Sequence, residues 1–308
     1  MFKGFPRTDF RRYDVCRRSR AMPRAIVISE PVRATSAVVF AAPHSGRVYP
    51  ADFLARAVVD ERVLRSSEDA YVDLLLASAP DHGAPLVTSE VPRAYVDFNR
   101  AADELDPALI EGAPRTGLNP RVASGLGVVA RVVANGRAIY SGKLSMAEAR
   151  ARLSRYWQPY HDGLSGVLDR HRARFGRVLL CDVHSMPHEA LNGHVERGAA
   201  RPDIVLGDRW GASCAPEVLE QVEAAFKAVG LRVARNAPFA GAYIVQRYGQ
   251  PSVGAHALQI EIDRALYLDE RAVAPSADFA AFRHLMQDVV KAIAAIDLGM
   301  PSQGLAAE

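Results

Sequence analysis

The chain has little of what marks several common protein classes. Its 308 residues include three cysteines, Cys16, Cys181 and Cys214, an odd number at wide spacings with no CxxC pair. That excludes a disulfide framework and a thiolate metal site, and suits a reducing compartment. No stretch approaches the roughly 18 consecutive apolar residues that a membrane-crossing helix needs, so no membrane partner is expected. Excess charge of one sign is also missing. The balance of 38 Lys and Arg against 35 Asp and Glu leaves +3, too little to argue for nucleic acid. The Arg-rich start is interrupted by Asp9 and Asp14 and lacks the apolar run of a secretory signal. A cytoplasmic protein is expected, with residues 1–24 a disordered basic arm and 299–308 a flexible tail. Residues 25–298 suffice for a single α/β domain with a well-covered core.

What is present is a regular alternation of short apolar runs and amphipathic stretches. AVVFAA (37–42), APLVTS (84–89), AYVDF (94–98), VLLCDV (178–183), 204–206, 231–234 and ALQIEID (257–263) read as strands. The stretch from Asp69 to Gly83, residues 216–229 and residues 279–296 read as helices. Ser145 and Glu148 form a capping box for a helix whose buried face runs through Leu153, Trp157, Tyr160, Leu164, Leu168 and His171. Pro159 should kink that helix. Residues 100–143, rich in Gly and Pro, read largely as a long loop of the kind that lines sites. Together these predict an α/β layered sheet with helices on both faces.

Two of the apolar strands end in a histidine, AAPHSG at His44 and CDVHSMP at His184. In open α/β sheets the crevice beyond the strands' carboxyl ends is where ligands bind. Two imidazoles arriving there suit a metal site, although each alone would equally suit a solvated or supporting role. The nearby acids Glu68 and Asp69 are candidates for a third ligand or for plain N-terminal caps, with Asp69 and Asp73 expected on one helix face. Alternation along ALQIEID sets Gln259, Glu261 and Asp263 opposite Leu258, Ile260 and Ile262, so the polar row faces either solvent or a polar cavity. In a cavity, Glu261 could serve as a general base. Arg93 and Arg100 flank AYVDF, and Asn99-Arg100 at its end could clamp a carboxylate. Asp182 shares a strand face with His184 and could support its imidazole. Tyr243, Arg247 and Tyr248 could form a lid, and His188 and His194 read as loop histidines.

PHSG, DAYVDLL, PRAYVDFNR, TGL, DVHSMP and ALQIEIDRALYLDE stand in the order seen in the N-formylglutamate amidohydrolase family, which the chain resembles from about Ala37 to Glu270. That family is similar in turn to zinc carboxypeptidases and aspartoacylases. The resemblance implies a three-layer α/β/α fold with a mixed central sheet. It implies one divalent metal, zinc being the expected ion, held by His44, His184 and a carboxylate. Carboxypeptidases place that carboxylate three residues after the first histidine, where this chain has Arg47, which cannot ligate. The family pattern points instead to Asp69, with Glu68 in reserve. It further implies Glu261 as general base, Arg93 polarising the scissile carbonyl, and Asn99 and Arg100 gripping a substrate carboxylate. The implied substrate is a small N-acyl amino acid, foremost N-formyl-L-glutamate. Two rivals stand beside this reading: an amidase or carboxypeptidase acting on peptides or another N-acyl amino acid, and a non-catalytic carboxylate binder. Glu261 argues against the second, because binding alone needs no base.

Overall fold

A computed structural model describes residues 22–114, 119–193 and 200–299. The basic arm before residue 22, the Thr116–Leu118 motif, His194 and the tail beyond residue 299 lie outside the described residues. Seven strands make one sheet: β1 (Val27–Ser29), β2 (Val38–Ala42), β3 (Leu86–Thr88), β4 (Val178–Met186), β5 (Ile204–Gly207), β6 (Val233–Arg235) and β7 (Ala255–Asp263). Their order is β1-β3-β2-β4-β7-β5-β6. β3, β2, β4 and β7 run parallel, while β1 joins β3 and β5 joins β7 antiparallel, so the sheet is mixed.

The three central strands begin apolar on both faces, the buried His256 of β7 excepted, because each face is covered. Val38, Phe40, Leu179, Cys181, Leu258 and Ile260 pack in one core with helices α2 (Pro216–Ala228) and α3 (Phe279–Ala294). Val39, Ala41, Leu180 and Ala257 lie in the opposite core with Tyr160, Leu164 and Val167 of helix α1 (Gln158–Phe175). This is a helix–sheet–helix sandwich in which water leaves both sides of the sheet. On the α1 side β4 and β7 turn polar toward their carboxyl ends, while β2 stays apolar to Ala42. Leu180 is followed on that face by Asp182 and His184, and Ala257 by Gln259 and Glu261, all buried. β7 is therefore no solvated edge. It is flanked by β4 and β5, and its polar row lies inside the protein.

Several local expectations are corrected. AYVDF is not a strand; residues 93–100 form successive turns, because Pro92 and the side-chain bonds of Asp97 compete with ladder pairing. The stretch after Asp69 forms only the turn Val72–Leu75 and the 3-10 turn Ala79–His82, so Asp69 and Asp73 share no helix face. Asp73 instead pairs with Arg47 at 2.9 Å. β4 runs through His184 to Met186, so that histidine is a strand residue. Ser145 caps its helix by accepting from the Glu148 amide at 3.1 Å, but Glu148 turns to Arg56 and Arg152 and leaves the capping box half made. Ahead of Pro159, a π-helical segment at Leu153–Trp157 leads into α1.

His161 on α1 is wholly buried, 3.0 Å from the Phe98 carbonyl and 2.9 Å from the Tyr248 hydroxyl. Burial, reinforced by the Arg247 charge, pushes its pKa from 6.5 down to about 3. The unfolded chain therefore binds a proton near pH 6.5 that the folded chain refuses. Stability from His161 is full above that value and lost as pH falls toward 3, by up to about 1.4 kcal/mol per pH unit. His161→Gln should flatten the fall in urea midpoint between pH 7 and pH 5; an unchanged slope would exclude this residue as its source.

Candidate metal centre and active site

β2 ends at Ala42, and the PHSG turn carries His44 over the carboxyl edge of the sheet. Gly46 is needed there for space. A Cβ on it would lie 2.1 Å from the Val91 carbonyl oxygen, so the turn packs directly on the neighbouring backbone. The Asp69 amide donates to the His44 carbonyl at 3.0 Å, which locks the two loops together. Two residues on, Tyr71 adopts φ 65, a left-handed conformation that costs an aromatic residue on the order of 1–3 kcal/mol. Its buried ring is held edge-on against Phe279, so packing over-determines the turn that presents Asp69.

Three donor atoms converge at this point. Asp69 Oδ2 lies 3.2 Å from His44 Nδ1 and 3.0 Å from His184 Nδ1, and the two Nδ1 atoms are 3.1 Å apart. All three side chains are buried. The far side of each ring faces a second carboxylate: His44 Nε2 is 2.8 Å from Asp97 Oδ1, and His184 Nε2 is 2.9 Å from Asp182 Oδ2. His44 Nε2 hydrogen-bonds Asp97, whereas His184 Nε2 lies close to Asp182 without hydrogen-bond alignment and 3.4 Å from Asn99 Nδ2. In the tautomer that leaves Nδ1 of both rings unprotonated, two lone pairs and a carboxylate oxygen point at one spot. Such a trio repels itself unless a cation sits among it. Four-coordinate zinc, with bonds of about 2.0–2.2 Å, would hold ligand atoms roughly 3.3 Å apart, close to the spacing observed. Burial opposes the charged form of His184, yet Asp182, Asp69 and Glu261 hold its pKa well above the ordinary value. Against the same burial, His184 and His44 hold Asp69 well below its own.

Asp69 Oδ1 points away from the trio and accepts from Arg264 Nη2 at 3.1 Å and Ser185 Oγ at 3.2 Å. Arg264 also donates to the carbonyls of Ser66 and Glu68. Glu68 does not join the cluster; it takes the Tyr49 hydroxyl at 2.7 Å and faces Arg65. Burial pushes the Glu68 pKa up to about 7, with Arg65 opposing.

The cluster opens on a cavity of about 560 Å³ lined by Arg93, Asn99, Arg100, His184 and Glu261 among others. Glu261 stands beside His184 as its register partner across β4 and β7. Its Oε1 accepts from Gln259 Nε2 at 2.8 Å. Burial, with the Asp69 charge adding, pushes its pKa up to about 7 against the pull of His184 and Arg93. Arg93 binds Asp97 through Nε at 3.0 Å, leaving its terminal nitrogens for the cavity. Asn99 is largely committed already: Oδ1 accepts from the Ile244 amide at 2.8 Å and Nδ2 donates to Gln259 at 3.2 Å. Arg100 donates through Nε to the Leu126 carbonyl and through Nη1 to the Asn99 carbonyl. Tyr243, Arg247 and Tyr248 sit on a short helix against Trp157 and His161, and do not line this cavity. His188 pairs with Asp263 at 2.7 Å, away from the cluster.

The N-formylglutamate amidohydrolase family description matches residues 36–268. A curated N-formylglutamate deformylase of Pseudomonas aeruginosa is 33% identical over 82% of this chain and 91% of its own length. The chain belongs to the N-formylglutamate amidohydrolase family. Among its solved structures, the N-formylglutamate amidohydrolase of Ralstonia eutropha JMP134 superposes with a TM-score of 0.81 at 35% identity, covering 87% of this chain and 96% of that one. A gene product of Agrobacterium tumefaciens, 18% identical, shares the fold with a TM-score of 0.59 over 88% of this chain and 94% of its own. Within this family member, Asp97, Gln259 and Arg264 are site residues to which sequence reasoning gave no role. All three stand inside quoted motifs. Asp97 lies in a segment of strand-like composition, and Arg264 sits just past the polar row, where nothing local shows that its side chain reaches back to Asp69.

Proposed function

We propose that this chain is a metal-dependent deformylase of N-formyl amino acids, with N-formyl-L-glutamate the foremost substrate. The observation that carries the proposal is the trio of converging donors at the wall of a small cavity rich in arginine. The curated relatives, of Pseudomonas aeruginosa and Pseudomonas putida, are both named N-formylglutamate deformylase. A cavity of about 560 Å³ suits a small N-acyl amino acid better than an extended peptide.

His44, Asp69 and His184 would hold the ion, for which zinc fits the donor set and spacing. When bound, such an ion polarises a carbonyl oxygen and lowers the pKa of water toward about 7. The remaining work falls to the protein. Glu261 takes a proton from the attacking water, a task for which a carboxylate near pKa 7 is matched to neutral pH. The Gln259 amide fixes Oε1 and leaves Oε2 for the water. Arg93 donates to the amide oxygen as negative charge gathers there, a role typically worth about 3 kcal/mol. Asn99 and Arg100 seat the substrate carboxylate, which orients the amide over Glu261. Glu261 then returns its proton to the nitrogen as the C–N bond breaks, releasing formate and the amino acid.

Three measurements test this reading. Purified protein should contain about one divalent ion per chain and hydrolyse N-formyl ahead of N-acetyl and N-succinyl amino acids. Inactivity toward all three after chelation and reloading with zinc or cobalt would refute it. Glu261→Gln should lower kcat by about 100-fold or more while metal content stays unchanged; near-normal turnover would remove Glu261 from the base role. Asp97→Asn should weaken zinc affinity about 10–100-fold, read by competition with a chelator, because His44 loses the carboxylate that sets its tautomer.

A further inference from the structure

The cavity carries more positive charge than the proposed reaction uses. Among the described residues its lining holds four arginines, Arg93, Arg100, Arg121 and Arg264, and one carboxylate, Glu261. Arg93 is matched by Asp97 and Arg264 by Asp69. The other two are not matched so closely. Arg100 spends Nε and Nη1 on neutral carbonyls, and Asp97, its nearest ion-pair partner, is 4.0 Å away. The Arg121 side chain has no hydrogen-bond or ion-pair partner among the described residues, although it stands close enough to Arg100 for the two charges to repel.

Arg121 is held in place by its backbone. It lies on the turn Pro120–Ala123, where Asn119 Oδ1 accepts from the Arg121 and Val122 amides at 3.0 and 3.3 Å. Asn119 Nδ2 donates to Glu104 at 3.0 Å, and the other oxygen of Glu104 accepts from the Ala101 amide at 2.9 Å, one residue past Arg100. Arg131 ties down the far end of the turn through the Ala123 carbonyl. The backbones that carry the two arginines are thus tied together through Glu104, and the exposed Arg121 side chain extends from that anchored turn. Two like charges lining one cavity are stabilised by an anion with a negative group for each.

We infer that Arg121 is a specificity residue that recognises the second carboxylate of a dicarboxylic N-acyl amino acid, beside the carboxylate seated at Arg100. The inference rests on the deformylase reading and adds to it the reason a glutamate-like side chain would be preferred. A monocarboxylic substrate fills one cationic position and leaves the other facing it unneutralised. A dicarboxylic substrate fills both.

The test compares N-formyl-L-glutamate with N-formyl-L-glutamine, which has the same shape without the side-chain charge. kcat/KM for each is measured with the wild-type chain and with Arg121→Gln, alongside calorimetric Kd values for L-glutamate and L-glutamine. The wild-type preference for glutamate should fall about tenfold or more in Arg121→Gln, mostly through KM for the glutamate substrate. Arg121→Lys should recover part of it. A glutamate-to-glutamine ratio unchanged in Arg121→Gln overturns the inference. If the wild-type chain hydrolyses neither compound, the deformylase reading falls and the binding data decide alone. Glutamate held no tighter than glutamine, or equally well by Arg121→Gln, then overturns the role of Arg121.

Discussion

Burying the Asp69 carboxylate beside two histidines imposes a demand that the rest of the site answers. Each of its oxygens needs a donor or a cation, because an unpaired buried charge costs several kcal/mol. Oδ1 has Arg264 and Ser185, whereas Oδ2 has two imidazole nitrogens. In a neutral imidazole Nδ1 can donate to Asp69 only if the proton leaves Nε2, the nitrogen that faces Asp97 in His44 and Asp182 in His184. A positive charge at the centre would resolve that competition, and the ion proposed above would supply it. Arg264 acts from the far side, keeping Asp69 turned so that one oxygen stays available.

This arrangement is possible because the central strands change character along their length. The first halves of β4 and β7 build the two cores, His256 being the one polar residue there, and their last residues turn polar on the face toward α1. The apolar face anchors the strand, so the polar face is delivered with the precision of a sheet. Loops add what the strands cannot supply: His44 from the turn after β2, Asp69 from the strained turn before Tyr71, and the arginines from turns between residues 93 and 121.

The layered fold, the central strands and the histidines were legible from the sequence, because periodicity and strand-end position are local signals. So was the polar row of β7, though not its burial, which depends on β5 pairing along its other edge. Asp69 stood out as a residue but under the wrong local structure. A helical pattern of apolar residues after it is satisfied here by tertiary packing of two short turns. The AYVDF segment has strand-like composition, yet Asp97 spends its carboxylate on His44, Arg93 and the Asn99 amide, and that network holds a turn. Arg264 and Asp97 act across 195 and 53 residues of chain, distances at which no spacing rule operates.

His184 and Glu261 are register partners on adjacent parallel strands, so ladder hydrogen bonds between backbones set their separation. The residues expected to choose the substrate sit elsewhere, on turns whose side chains can change without shifting that ladder. In the proposed reading, chemistry and selectivity are thereby built on separate mechanical supports. On that reading, changes on the turns that carry Arg100 and Arg121 would alter which acid is accepted while His184 and Glu261 stay in register, leaving the scaffold open to new substrates at small risk to the proposed reacting centre.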